Sequence, residues 1–300
     1  MKKELFLRLI GRHEEKLAGI SLVLPNLMGF GVFVFFACGM SLWLSFHDWD
    51  MLTPARFVGF KNYIAIIEGD PHFRKVLYNT LYIALIYIPF TLITSLILAV
   101  FLNQKLRWIA IFRAAYYMPA VTATVAISVV WMFLFNPEYG PINLVLGSLG
   151  LPKPGWLFSV EWAKPAVAIV RTWQSAGYYM LMFLAGLQAI PHELYEAASI
   201  DGASGWVKFW RITLPMLSPT TFLVLVLLVI DGLNVFEAVY VMTRGGPAGS
   251  TETWLYYIYS KAFEGFKMGY ATALAWLLFV ALFLLTIFQF WLQRKWVYHE

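Results

Sequence analysis

The stretch MGYATALAWLLFVALFLLTIFQFWL, residues 268–292, contains no Asp, Glu, Lys or Arg. An α-helix rises about 1.5 Å per residue, so a helix of this length crosses the roughly 30 Å of hydrocarbon in a membrane. Membrane β-strands are shorter, at about 10 residues, and they alternate in polarity. The stretch therefore predicts a transmembrane helix rather than a strand.

The composition of the whole chain agrees with this prediction. Of its 300 residues, 60% are hydrophobic and only 13% are charged, whereas soluble proteins are about 45–50% apolar and about 25% charged. A soluble globule of this size would have to build its exterior from apolar residues, so the composition excludes one. We predict an all-α, polytopic membrane protein with one transmembrane domain over residues 1–300 and six spans, at about 19–46, 80–102, 114–135, 165–188, 220–242 and 268–292.

Basic residues ahead of the first span predict the orientation of the chain. Lys and Arg concentrate on the cytoplasmic side of membrane proteins. We therefore expect both termini in the cytoplasm, and the connection at residues 189–218 on the same side of the cytoplasmic membrane. The residues that carry this prediction are Lys2, Lys3, Arg8, Arg12 and Lys16.

The connection between the fourth and fifth predicted spans has the periodicity of a helix. Leu194, Ala197 and Ala198 recur at spacings of three and four, as one helix face requires. Asp201-Gly202 is a turn signal, and a second short helix follows that we expect to end at Leu214-Pro215. Such a hairpin either rests on the inner membrane surface or docks into a partner protein on the cytoplasmic face. Periodicity does not distinguish these two interpretations.

Seven positions of this connection stand at a fixed spacing, namely Glu196-Ala197-Ala198, Gly202, Ile212 and Leu214-Pro215. Their pattern resembles the signature of the permease subunits of ABC importers, the membrane halves of binding-protein-dependent transporters. The version Asp201-Gly202-Ala203 resembles the carbohydrate-uptake branch, and is most similar to the first permease of lactose, multiple-sugar and glycerol-3-phosphate systems. The resemblance extends over nearly all of residues 18–298.

The resemblance implies a type I ABC importer permease fold and a set of partner proteins. These are a second homologous permease, two ATP-binding subunits and an external solute-binding protein, assembled in the inner membrane of a prokaryote. In this family the hairpin is the coupling element that sits in a cleft of one ATPase. Gly202 would then form a turn where a Cβ would clash, and Ala197, Ala198 and Ala203 would allow close approach. Glu196 and Asp201 would accept charge-assisted hydrogen bonds from the ATPase or from neighbouring backbone.

The chain itself carries no motif for nucleotide or metal chemistry. It has no Gly-x4-Gly-Lys-Ser/Thr run, which is the loop that cradles ATP phosphates. The five histidines fall outside the predicted spans, without two on one helix face. We therefore expect a transport subunit rather than an enzyme, with no cofactor or metal of its own, and with ATP and Mg used by the partner ATPase.

Three charged residues lie well inside the predicted spans, where a charge is costly unless it faces a cavity or another charge. They are accompanied on the same helix faces by uncharged polar residues, and aromatic rings lie near them (Trp173, Tyr179, Phe236). The set suits the hydroxyls and ring faces of a sugar, and is the candidate substrate pathway. Its members are Arg171, Gln174, Tyr178, Asp231, Asn234 and Glu237.

Alternatives remain at two levels. Arg171 could form an ion pair with Asp231 or Glu237 that locks two helices together without touching a substrate. At the level of the whole protein, an ion-coupled secondary transporter would use the same charges as a relay, and a membrane-embedded enzyme is a third interpretation. Within the importer class, Arg171 would also suit a glycerol phosphate or another polyol derivative.

Overall fold

The computed structural model of the chain describes residues 19–104, 107–294 and 297. Regular structure in these residues is almost entirely helical, which confirms the predicted class. The exception is a pair of antiparallel two-residue strands, β1 (His47–Asp48) and β2 (Arg56–Phe57). The basic residues that predict the orientation, 2 to 16, lie outside the described residues.

The helices vary in length from one turn to more than eight. Three stretches of π-helix interrupt or extend them, at Gly31–Phe36, Phe209–Thr213 and Ser260–Glu264. In chain order the helices are α1 (Gly19–Ser45), α2 (Lys61–Ile67), α3 (Pro71–Leu102), α4 (Ile109–Val121), α5 (Thr124–Leu134), α6 (Pro141–Ser148), α7 (Ala163–Ala189), α8 (His192–Ile200), α9 (Gly205–Lys208), α10 (Leu214–Met216), α11 (Ser218–Leu233), α12 (Glu237–Met242), α13 (Trp254–Tyr259) and α14 (Met268–Gln293).

Within the described residues, four helical stretches are long and apolar enough to cross a membrane. They correspond to the first, second, fifth and sixth predicted spans. The second begins earlier than predicted, because the Asp70 side chain accepts hydrogen bonds from the amides of His72 and Phe73 and Pro71 occupies the first turn. The four stretches are Gly19–Ser45, Pro71–Leu102, Ser218–Met242 and Met268–Gln293.

The third predicted span, 114–135, is wrong as a single helix. The chain forms α4 and α5 there, which meet at an angle of 98°. Thr122 and Ala123 between them have extended ψ angles of 140° and 127°, so the helical hydrogen-bond ladder is interrupted. Hydropathy alone does not detect such a break, since both halves are apolar.

The fourth and fifth predicted spans also differ from the structure. The fourth corresponds to α7, which has 27 residues but is not among the helices apolar enough to span by composition. Its surroundings explain this, because α3, α4 and α11 all pack against it and leave less of its surface to face lipid. The fifth remains one candidate span, Ser218–Met242, but its helix is interrupted locally, since α11 ends at Leu233 and α12 begins at Glu237.

The chain divides into two compact units, of which the smaller comprises residues 1–65 and 261–276, described from Gly19 onward. Polar side chains fix its turn after α1. Asn62 donates to the carbonyls of Ser45 and His47, both at 2.9 Å, and the Tyr63 hydroxyl donates to Ser45 Oγ at 2.7 Å. The Trp276 indole nitrogen lies 3.2 Å from Ser41 Oγ.

The larger unit, residues 66–260 and 277–300, is built around the contact between α3 and α7. The buried face of α3 is lined with small and hydroxyl side chains. Ser95 donates to the Ala176 carbonyl at 3.0 Å, and the Thr91 hydroxyl lies 3.2 Å from that of Thr172. Small residues let helix backbones approach in membranes, where packing and hydrogen bonds replace the hydrophobic effect as the driving force.

The closest approach in this unit occurs at Gly177 of α7. A Cβ atom there would lie only 1.9 Å from the carbonyl oxygen of Tyr116 in α4. The obstacle is backbone rather than a flexible side chain, so the helices would have to separate to admit it. The absence of a side chain at Gly177 therefore allows α4 to pack directly against α7.

We expect Gly177→Ala to lower the free energy of unfolding by at least about 1–3 kcal/mol, the usual cost of overpacking. The matched control is Gly205→Ala, because a Cβ there meets no atom within 4 Å. Thermal denaturation of the purified protein in detergent measures both. Equal melting temperatures for the two variants would contradict the close approach.

Candidate functional site

An ion pair in the larger unit joins the two helices that carry charges at membrane depth. Arg171 of α7 places Nη2 2.8 Å from Oδ1 of Asp231 in α11, and Nη1 donates to Gln174 Oε1 at 3.2 Å. The two charged side chains are 16% and 34% exposed. Of the two ion pairs considered from the sequence, the structure forms the one with Asp231.

Hydroxyl groups surround this pair, although the buried Nε atom of Arg171 has no hydrogen-bond partner among the described residues. Tyr87 of α3 donates to the second carboxylate oxygen of Asp231 at 2.5 Å, and its hydroxyl lies 2.9 Å from Ser175 Oγ. Ser175 in turn donates to the Arg171 carbonyl at 2.6 Å. The Arg171 guanidinium also stands 5.7 Å from the centre of the Tyr87 ring, a cation–π distance. Three helices are therefore connected through one charged pair.

A cavity of about 440 Å³ opens on one side of the ion pair. Most of the residues that line it carry a polar group, although it lies inside an apolar helix bundle. Gln174 Nε2 donates across it to Thr124 Oγ1 at 2.9 Å. The lining residues are Ala120, Thr124, Arg171, Gln174, Ser175, Tyr178, Tyr179, Leu227, Ile230, Asp231 and Asn234.

A second cavity of about 270 Å³ shares part of the same wall. Arg171, Asp231 and Asn234 line both cavities, so the ion pair stands between them. Glu237 and Phe236 line only the second. Its complete lining is Arg171, Asp231, Asn234, Phe236, Glu237, Ala238 and Leu255.

Two interruptions of helical structure bring these polar groups to the cavities. The break between α4 and α5 places Thr124 at the first position of α5, where it lines the larger cavity. The gap between α11 and α12 leaves Asn234 at the end of one helix and Glu237 at the start of the next. Non-helical backbone at membrane depth occurs where it is buried in protein or lines a cavity.

The structure brings the six predicted pathway residues together around these two cavities. Trp173, expected nearby, is not among the lining residues and instead packs edge-on against Trp131 at 5.6 Å. Sequence reasoning missed Tyr87, Thr124 and Ser175. A hydroxyl in an otherwise apolar span was the available signal for Tyr87, whereas Thr124 becomes recognisable only through the break.

The loop 189–218 forms the predicted helical hairpin, and its turn has a defined hydrogen-bond pattern. The Ala203 amide donates to the Ala198 carbonyl at 2.9 Å, and the Gly202 amide to the Ser199 carbonyl at 3.1 Å. Gly202 has a φ of +76°. This is the Schellman arrangement that ends a helix with glycine in the left-handed conformation.

Two details of the hairpin differ from expectation. A Cβ at Gly202 would meet no atom of the described chain within 4 Å, so the constraint there is the positive φ and not a clash. The second helix does not end at Leu214-Pro215, because the chain continues through π-helix 209–213 and α10 before α11 begins. Proline is compatible with this continuation because Pro215 stands in the first turn of α10, where its missing amide would have no acceptor within the helix.

The signature residues of the hairpin differ in exposure. Glu196, Ala197, Asp201, Gly202 and Pro215 are exposed, whereas Ala198, Ala203, Ile212 and Leu214 are partly buried. The Tyr195 hydroxyl lies 2.9 Å from Thr213 Oγ1 and connects the two arms. Apolar side chains near the turn also face outward, with Ile200 87% and Trp206 71% exposed.

No group of three or more His, Cys, Asp and Glu residues in the described ranges is arranged to hold a metal ion. The candidate site is therefore a polar cavity pair divided by an ion pair, with a structured hairpin elsewhere in the same unit. The chemistry available at the cavities is hydrogen bonding, ring contact and charge.

Comparison with known proteins gives a consistent family. The family described as binding-protein-dependent transport system inner membrane component matches residues 62–298. The lactose transport system permease protein of Rhizobium radiobacter is 34% identical over 91% of this chain and 93% of its own. The sn-glycerol-3-phosphate transport system permease protein of Pectobacterium atrosepticum is 33% identical, over 91% and 93%.

A solved structure shares the fold at lower identity. A bacterial ABC transporter involved in the import of the acidic polysaccharide alginate contains a chain with a TM-score of 0.83. It is 24% identical, and the match covers 96% of this chain and 99% of that one. At this identity the likeness concerns the fold alone.

Removing one partner of the ion pair should destabilise the protein more than removing both. We expect Asp231→Leu or Arg171→Met alone to lower the free energy of unfolding by about 1–3 kcal/mol, less than for a fully buried pair because Asp231 is partly exposed. The double variant should recover part of that loss, since no unpaired charge remains. Denaturation in detergent measures all three, and single variants as stable as wild type would exclude a structural role for the pair.

Proposed function

The chain belongs to the family of binding-protein-dependent transport system inner membrane components, and from this premise we propose that its two polar cavities form part of the path of a sugar or sugar derivative. The observation that carries the proposal is the set of donors and acceptors around Arg171 and Asp231, inside helices that are otherwise apolar. A sugar presents hydroxyls that both donate and accept hydrogen bonds, together with apolar ring faces. The relatives named for lactose and for glycerol 3-phosphate support this cargo class.

The residues suit a hydrated, hydroxylated cargo in specific ways. Tyr178 is 47% exposed and offers a ring face at the larger cavity. Gln174 and Asn234 provide amides, and Glu237 provides a carboxylate. The ion pair of Arg171 with Asp231 connects two helices and also forms the shared wall between the cavities. In this proposal the same two residues therefore stabilise the helix packing and line the path of the cargo.

The hairpin is proposed as the coupling element to a separate ATPase. Its turn is exposed, a Cβ added at Gly202 would meet no atom of the described chain within 4 Å, and outward-facing apolar side chains flank it. These are the properties of a knob that enters a cleft in another protein. ATP and Mg would be used by that partner, whose closure would move the hairpin and switch the cavities between the two membrane faces by rigid-body motion.

The complete importer would contain a second homologous permease, two ATP-binding subunits and an extracytoplasmic solute-binding protein. The chain would contribute six membrane crossings, with the bent α4–α5 pair and the polar α7 counted among them. Both termini and the hairpin would face the cytoplasm, in the inner membrane of a prokaryote. The chain itself would bind no cofactor and catalyse no reaction.

Coupling through the hairpin predicts a specific effect at Gly202. Valine cannot adopt its φ of +76° without strain, so we expect Gly202→Val to insert normally, to lose most of the co-purifying ATPase and to abolish uptake. Gly150→Val is the control, because that glycine also has a positive φ of +71° and open space around it. Normal ATPase recovery and uptake with Gly202→Val would contradict the proposal.

The cavity predicts effects on transport that a purely structural lock does not. We expect Gln174→Ala and Asn234→Ala to reduce cargo uptake about two- to tenfold, the value of one neutral hydrogen bond. Gln174→Ala should also lower the melting temperature, because Arg171 and Thr124 each lose a hydrogen-bond partner. Gln104→Ala, an exposed amide away from the cavities, is the control. If neither variant changes uptake while Arg171→Ala only lowers stability, the ion pair is a lock without contact to cargo.

A further inference from the structure

We propose that the cavities of this chain select an uncharged sugar or polyol against a phosphorylated or carboxylated one. The inference rests on the proposed function, because it concerns the cargo of the same two cavities. It follows from how the charges around Arg171 are already used. The argument concerns the charge of the cargo and not the identity of the sugar.

The positive charge of Arg171 is engaged by groups of its own chain. One terminal nitrogen contacts the Asp231 carboxylate at 2.8 Å, the other donates to Gln174 at 3.2 Å, and the guanidinium faces the Tyr87 ring. The third nitrogen, Nε, has no hydrogen-bond partner among the described residues, but it is buried and a cargo in the cavities cannot reach it. Only 16% of the side chain is exposed. An anionic cargo would find little of this guanidinium available.

An anion could bind Arg171 by displacing Asp231, but the carboxylate would then lose its cation. Asp231 has both oxygens occupied, one by Arg171 and the other by the hydroxyl of Tyr87. Displacement would leave an unpaired carboxylate inside the membrane beside a second anion. Exchanging the Asp231 carboxylate for an anionic cargo at Arg171 is therefore far less favourable than keeping the ion pair.

The remaining charge at the cavities is negative. Among the residues that line them, the charged ones are Arg171, Asp231 and Glu237, so one positive charge faces two negative ones. Glu237 is exposed, and no hydrogen bond or ion pair to it is found among the described residues. The amino-terminal end of α5 adds a partial positive charge of about half a unit, which leaves the balance negative.

Uncharged hydroxyls suit the same groups without displacing any of them. A sugar hydroxyl can donate to the Glu237 carboxylate or to Asn234, whose amide nitrogen is already used by the Ile230 carbonyl at 2.9 Å. The exposed ring of Tyr178 is available for an apolar sugar face. The negative balance therefore rejects anions while it accepts polyols.

The test is uptake by the complete importer in sealed vesicles, with pairs of cargo molecules in which one member carries an anionic group that the other lacks. Suitable pairs are glucose with glucuronate, galactose with galacturonate, and glycerol with glycerol 3-phosphate. We expect the neutral member of the imported pair to enter at least tenfold faster than the anionic member. Faster import of the anionic member overturns this inference and leaves the sugar-importer function standing. Import of a different class, such as an amino acid, with no sugar or polyol carried, overturns both.

A variant pair separates the contribution of this chain from that of the solute-binding protein, which is unchanged in both. Glu237→Lys reverses the charge at the cavity, and we expect it to raise the anionic-to-neutral uptake ratio at least threefold. Glu161→Lys makes the same change in net charge at an exposed position away from the cavities, and should leave the ratio unchanged. An equal anionic-to-neutral uptake ratio in both variants would show that the cavities of this chain do not select cargo by charge.

Discussion

The ion pair between Arg171 and Asp231 is the contact on which the larger unit depends. In the membrane a charge is costly unless it faces a cavity or another charge, and Arg171 and Asp231 meet both conditions. Tyr87 occupies the second oxygen of Asp231, and Ser175 ties Tyr87 to the backbone of Arg171. Because these groups come from α3, α7 and α11, satisfying one charge fixes the mutual positions of three helices.

The elements that hydropathy determines were predictable from the sequence. Long uncharged runs identify α1, α3 and α14, and the periodicity around Ala197 with the turn at Gly202 identifies the hairpin. The polar residues of the candidate pathway were also recognisable, because a charge in an apolar span is energetically costly unless it faces a cavity or another charge. The matched family, which extends over residues 62–298, agrees with the resemblance found in the loop signature.

Features that arise from tertiary packing were not predictable. The break at Thr122 and Ala123 lies in a run that is apolar on both sides, so hydropathy does not mark it. The close packing of α4 on α7 depends on a residue of a different helix, because the missing side chain of Gly177 admits the Tyr116 carbonyl. The choice of Asp231 over Glu237 as the partner of Arg171 was likewise open, because it depends on where α11 ends.

The same break also leaves backbone donors at the larger cavity. The first amides of a helix have no acceptor within it, and Ala123 supplies no side-chain cap to those of α5. Because Thr124 at that end lines the cavity, the acceptor that backbone at membrane depth requires has to come from the contents of the cavity. The oxygen of a cargo hydroxyl would be such an acceptor, so the interrupted helix adds main-chain groups to the side chains that suit a hydroxylated cargo.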